Sequence, residues 1–215
     1  MSSGKKQSSK KKRKSDKFNE SGRSVRADAR RNLESILAAA LDVFEESGVD
    51  APVRQIAKKA GVGIGTLYRH FPDRSDLIKA VVRQGIDACA EAAARAAAEN
   101  GPVEALAVWA EQLVKLLKTK RGLATALHSG SPAFRSLPDY FLNRLTPALE
   151  ALLNEAKNAG AVRKDIDAAE LLMAMTRVAT PASEGDTAQA HRMVALLLDG
   201  LRYGANDNTK KRLRR

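Results

Sequence analysis

Apolar residues recur along this chain at intervals of three and four, and no stretch alternates in the way a strand would. Leu33, Ile36, Leu37, Ala40, Leu41 and Phe44 fall on one face of a helix predicted over Ala27–Ser47, and Gly48 stops it. A long helix is expected from Arg74 to Glu99, with Ile78, Val82, Ile86, Cys89 and Ala93 as its buried line and Asn100-Gly101-Pro102 as its end. Further helices are predicted over Val103–Lys118, Leu123–His128, Leu137–Asn158, Asp167–Thr180 and Thr187–Tyr203. Thr119–Gly122 reads as a turn and Ser129–Pro132 as a loop, while Pro138 and Pro147 bend the Leu137 helix or mark its start.

The most informative pattern lies between the first helix and the long one. In Val53–Leu77, Ile56, Ala57 and Ala60 give a short helix one apolar face. Gly61 supplies the left-handed stop that only glycine adopts cheaply. A second short helix buries Val62, Leu67 and Phe71 and leaves Ile64, Thr66, Tyr68, Arg69 and His70 facing outward. Pro72 ends it, and Asp73 is placed to cap the helix that begins at Arg74. Two short helices joined by a glycine turn make a helix-turn-helix, whose second helix enters a DNA major groove. The exposed chemistry suits DNA. Thr66 donates and accepts hydrogen bonds, Tyr68 and His70 carry polar tips on rigid rings, and Arg54, Lys58, Lys59, Arg69 and Arg74 bring positive charge. An ordinary pair of core helices with a solvated face is the plainer reading of the same residues.

Charge sharpens the picture. The chain is 215 residues long and carries a formal charge of +12. Residues 1–31 hold twelve Lys and Arg against three Asp and Glu, and residues 205–215 hold five against one, so the tails account for the excess and the body is close to neutral. Residues 1–24 are Ser-, Gly- and Lys-rich with KKKRK at Lys10–Lys14, a composition that predicts disorder. Such a tail either solubilises or adds sequence-independent attraction to phosphate, with Arg26, Arg30 and Arg31 next to it. No apolar run suits a membrane span or a secretory signal, and one cysteine, Cys89, leaves no internal disulfide or metal cluster, so a cytoplasmic protein without cofactor is expected.

Catalytic motifs are absent. His70, His128 and His191 lie on separate elements, and no nucleophile elbow, phosphate loop, zinc-protease motif or dinucleotide fingerprint is present. A mostly apolar small-molecule pocket is the better expectation for the helical remainder. Trp109, Leu113, Thr125, His128, Leu142, Leu145, Met173 and Thr176 are candidates for its wall, with ordinary core packing as the competing role for each. The last two long helices are apolar over more than one stripe, which suits a dimer built on a four-helix bundle; a wide core face with no dimer is the plainer reading.

The residues Ile56-Ala57, Ala60-Gly61-Val62, Gly65-Thr66-Leu67-Tyr68, His70-Phe71, Arg74 and Leu77 closely resemble the DNA-binding domain of the TetR family of bacterial transcriptional repressors. The resemblance covers Arg30–Val82 in detail and the rest in outline. It implies an all-α fold with a three-helix helix-turn-helix domain over residues 25–82, then a helical ligand-binding and dimerisation domain over 83–204, flanked by the tails 1–24 and 205–215. It implies that Tyr68 and His70 hold phosphates, that Thr66 sits in the groove and that Arg74 (usually Lys there) adds a phosphate contact, while Arg54 matches a position that reaches base edges in some members. Gln55, Lys59, Gly63, Ile64, Gly65 and Arg69 complete the expected DNA-facing set. The implied function is a homodimer that binds a palindromic double-stranded operator as a repressor and leaves it when a small-molecule effector binds. Two departures stand out: Pro52 replaces the usual capping Thr, and Gly63 replaces the usual capping Ser or Thr, so two hydroxyls that would meet phosphate are missing. A nucleoid-type architectural protein, or a small-molecule binding protein or enzyme with a vestigial reading head, are the rival readings.

Overall fold

The computed structural model describes residues 28–123, 127, 130–179 and 187–203, and they are helical throughout, with no strand among them. Helix α1 spans 28–47. It is followed by α2 (Val53–Lys59), α3 (Ile64–His70), α4 (Arg74–Glu99), α5 (Pro102–Gly122), a 3-10 turn (Pro132–Phe134), α6 (Leu137–Asn158), α7 (Ala168–Val178) and α8 (Thr187–Arg202). The expected tails, Arg26, Thr125 and His128 lie outside the described residues.

The reading head is α1 to α3 together with the start of α4. Ile36, Ala40 and Phe44 of α1, Ile56 and Ala57 of α2, Leu67 of α3 and Leu77 of α4 are all buried in one core. Between α2 and α3 the chain reverses at Gly61, whose φ of 68° is left-handed. There the Gly61 N–H donates to Lys58 O and the Val62 N–H to Ala57 O, so two carbonyls at the end of α2 are satisfied within the turn. A Cβ at Gly61 would meet nothing within 4 Å, so the glycine is needed for backbone conformation and not for space.

The body is α4 to α8. α4 has 26 residues, about 39 Å at the usual helical rise. It packs on α5 and α6; α6 packs on α7, and α8 on α5 and α7. The central packing residue is Trp109, fully buried, whose indole N–H donates to Cys89 O at 2.9 Å and pins α5 to the middle of α4. Close approach of the same pair is possible because α4 carries Gly85: a Cβ there would lie 3.0 Å from Leu116 Cδ1.

Pro52 stands at the N-cap of α2, the place of the usual capping Thr; its backbone is extended, it makes no side-chain cap, and its carbonyl accepts from Gln55 N at 2.9 Å. Three local expectations are corrected. Asp73 stands at the N-cap of α4, but its side chain accepts no capping bond, and only its carbonyl begins the helix. Thr119–Gly122 continue α5 instead of turning, because nothing before Gly122 breaks a helix and the buried line runs on through Leu116 and Leu117 to Leu123. α7 begins one residue late, since Asp167 caps it: Asp167 accepts from Glu170 N at 2.7 Å while Glu170 accepts from Asp167 N, a reciprocal box the D-x-x-E spacing signals. Pro147 lies inside α6 without ending it; it and Asn143, whose carbonyl loses a helical donor, both face solvent, where water can take that role.

Candidate functional site

The outer face of α2 and α3 contains no acidic residue. Arg54, Gln55 and Lys58 of α2 and Ile64, Gly65, Tyr68, Arg69 and His70 of α3 are exposed, while Thr66 is half-buried. Helix α3 follows its N-cap, Gly63, and is anchored in the head's core by Leu67 and Phe71, four residues apart. A Cβ at Gly65 would meet nothing within 4 Å, and one at Gly63 would meet only Thr66 Oγ1 at 3.9 Å. Neither glycine is therefore demanded by packing inside the protomer. What their bareness provides is a backbone that another surface can approach closely.

Arg69 lies back along α3: its Nε donates to Gly65 O and its Nη2 to Thr66 Oγ1, both at 3.2 Å. The Thr66 hydroxyl, accepting from Arg69, keeps its own proton for another acceptor.

Two residues expected to hold phosphate are engaged elsewhere. Lys59 Nζ lies 2.8 Å from Glu46 Oε1 and 3.2 Å from Asp42 Oδ2, and the bond to Glu46 is the main reason its pKa rises above the ordinary lysine value. Glu46 and Asp42 are one turn apart on α1, so Lys59 ties the end of α2 to α1. Arg74 donates from Nε to Val49 O at 2.6 Å and from Nη2 to the carbonyls of Val49 and Ala51, and its guanidinium lies 5.9 Å from the Phe44 ring centroid. It joins the first turn of α4 to the loop between α1 and α2. A planar fork of donors suits that bridge, whereas a lysine offers a point charge.

Inside the body an apolar cavity of about 200 Å³ lies between α4, α5, the 3-10 turn and α6. Val82, Ile86, Leu116, Phe134, Leu137 and Phe141 contribute to its wall. None of the described residues expected to line a pocket is in the wall of this cavity. Trp109, Leu113 and Leu145 are fully buried core. Leu142 and Met173 are 37% and 38% exposed on the outer surface. The Thr176 hydroxyl donates to Leu172 O of its own helix at 2.7 Å. The aromatic pair Phe134 and Phe141, close to Pro132 and Pro138, was the available signal in the sequence.

On the outer side of the same α4–α6 contact is a polar cluster. The Tyr140 hydroxyl lies 2.8 Å from both Asp87 carboxylate oxygens, Arg144 Nε donates to Asp87 at 2.6 Å, and the Arg83 guanidinium sits 4.3 Å from the Tyr140 ring centroid. Burial, then the bond to Asp87, raises the Tyr140 pKa. Burial likewise pushes the Cys89 thiol up to about 12, so it is no nucleophile at neutral pH. Among the described residues no cluster of His, Cys, Asp and Glu could hold a metal ion, and no helix is long and apolar enough to cross a membrane.

Residues 36–81 match the family described as bacterial regulatory proteins, tetR family. Residues 101–203 match the C-terminal domain described as transcriptional regulator SbtR-like. A solved TetR transcriptional regulator from Streptomyces coelicolor is 38% identical, with 79% of this chain and 97% of that one covered and a TM-score of 0.68. A TetR transcription regulatory protein from Mycobacterium vanbaalenii is 34% identical over 83% of this chain and 99% of its own, with a TM-score of 0.65. Among curated proteins, an HTH-type transcriptional regulator of Staphylococcus aureus (strain USA300) is 44% identical over 64 residues, which is 29% of this chain. The match spans about a third of that relative's length, 35%.

Arg74→Ala separates the two roles open to that residue. Loss of the backbone bridge should lower unfolding free energy by about 1–2 kcal/mol, read by denaturant titration. The slope of log K against log salt for duplex DNA should stay unchanged, and a slope reduced by about one would return Arg74 to the phosphate.

Proposed function

The chain belongs to the TetR family of bacterial regulatory proteins, and on that premise we propose that it is a ligand-responsive transcriptional repressor that binds a palindromic operator as a homodimer. The observation that carries this reading is the face of α3, exposed, free of acidic groups and bare at Gly63 and Gly65. Gly63 and Gly65 let the start of α3 come close to base edges. Thr66, Tyr68 and His70 then supply groove and backbone contacts, and Arg54 and Gln55 on α2 lie within the same positive face. Of the basic set, Arg54 and Lys58 serve DNA; Lys59 and Arg74 serve the head that presents it.

Dimerisation is supported by α8. Met193, Leu196, Gly200 and Tyr203 recur at helical spacing and are all exposed, with Leu196 at 65% and Tyr203 at 78%. They lie on the side away from the buried Ala190, Val194 and Leu201. Gly200 has open space over it, which lets a second helix cross closely. Two heads joined this way would meet successive major grooves about 34 Å apart, or a multiple of that.

The effector belongs in the apolar cavity beside α4. A ligand that fits the cavity in only one arrangement of α4 shifts the dimer toward that arrangement, and the two heads then leave the operator spacing.

Selection from random duplexes should return a palindromic site, and no preferred sequence would favour an architectural protein. Against single-base variants of that site, Arg54→Ala should cost about 1–3 kcal/mol and relax preference at one G·C pair per half-site. An equal loss for every variant would make Arg54 a phosphate clamp. Leu196→Glu should give a folded monomer in sedimentation velocity with much weaker operator binding; a persistent dimer would place the interface elsewhere.

A further inference from the structure

A second recess lies against the first. It is a groove of about 430 Å³ at the junction of head and body, between α1, α4 and α5. Val82 and Leu116 line both this groove and the inner cavity, so these two side chains are the partition between them. The partition is set on a bare stretch of α4. Leu116 reaches across from α5 to Gly85, where a Cβ would lie 3.0 Å from its Cδ1. A leucine has other staggered rotamers, and no Cβ at residue 85 crowds it.

The outer groove differs in chemistry from the inner cavity. Its floor is apolar, but its polar side chains are Gln84, Arg95, Gln112 and Lys115, and no carboxylate is among its lining residues. The groove between α5 and α8 shows that this is not general: there Glu104, Glu111 and Asp199 alternate with His191, Arg192 and Arg202. Single-sign charge along an apolar path is the complement of a molecule with an anionic head and a hydrocarbon chain. Size agrees. The inner cavity of about 200 Å³ is smaller than the roughly 300 Å³ at which small-molecule pockets begin. Joined to the groove outside it, the space falls within that range.

We infer that the two recesses form one site for an elongated amphipathic anion, a fatty acyl chain that passes Val82 and Leu116 into the inner cavity and leaves its carboxylate or equivalent anionic head at Arg95 and Lys115. The inference rests on the proposed effector role of the inner cavity and names the class of ligand it takes. Ala38 and Leu41 of α1 belong to the outer groove, so the site borders the reading head.

Titration calorimetry on the intact protein tests this with three probes: toluene, which fits the inner cavity alone, dodecanoate and 1-dodecanol. Toluene and dodecanoate should compete, and dodecanoate should bind about tenfold more tightly than dodecanol, the worth of one charge-assisted contact. The double variant R95Q/K115Q, altered only at exposed side chains, should remove that tenfold preference and leave toluene and dodecanol unchanged. Simultaneous binding of toluene and dodecanoate, or a preference for dodecanoate that survives in R95Q/K115Q, overturns the joined site and leaves the inner cavity as an effector site. Failure of toluene and dodecanoate alike to bind overturns both.

Discussion

Arg74 ties the first turn of α4 to the carbonyls of Val49 and Ala51, and α4 is the helix that runs from the head into the body. The loop it grips leads into α2, so the start of α2 and the start of α4 move together. Lys59, bridged to Glu46 and Asp42, fixes the other end of α2 to α1. Leu67 and Phe71 anchor α3 in the same core. The elements of the head are thereby tied to one another and to the start of α4.

Further along, α4 is gripped by the body in three ways. The Trp109 indole bonds to its backbone at Cys89, the Asp87 carboxylate is held by Tyr140 and Arg144, and the close contact at Gly85 seats Leu116. The inner cavity opens beside these grips, with Val82 and Ile86 of α4 in its wall. A molecule placed there presses on α4 between its attachment to the head and its attachment to α5. The coupling is a difference in ligand affinity between two settings of one helix, and needs no other pathway.

Helix limits were legible because this chain marks them plainly. Gly48, Gly61 and Gly160 all adopt left-handed φ where apolar periodicity stops, and the exposed set on α3 follows from which residues its short buried face leaves over. The fates of Lys59 and Arg74 were not legible. Both bind groups on α1 or the loop after it, thirteen or more residues away, and sequence shows the charge but not the partner that consumes it. The cavity was harder still. Periodicity separates buried from exposed, and Trp109, Leu113 and Leu145 are as buried as it suggests. A void arises where buried side chains fail to meet, which depends on the relative placement of α4, α5 and α6. The exposed stripe on α8 was half legible: a helix apolar on two sides predicts a partner, but the bare Gly200 within the stripe gains meaning only once its surroundings are seen.

The claim on which the rest turns is that ligand in the body resets the distance between two heads. A spin label at Ser47→Cys, exposed at the end of α1 and outside the DNA-facing set, reports that distance across the dimer, and the buried Cys89 thiol, with its pKa pushed up to about 12, does not compete for the label. Pulsed electron-electron resonance would be recorded for the free dimer, with operator, and with saturating dodecanoate. The account predicts that operator narrows the distance distribution around one value and that dodecanoate moves it away from that value. A distribution unmoved by dodecanoate, in a dimer that dodecanoate still releases from operator, would contradict it.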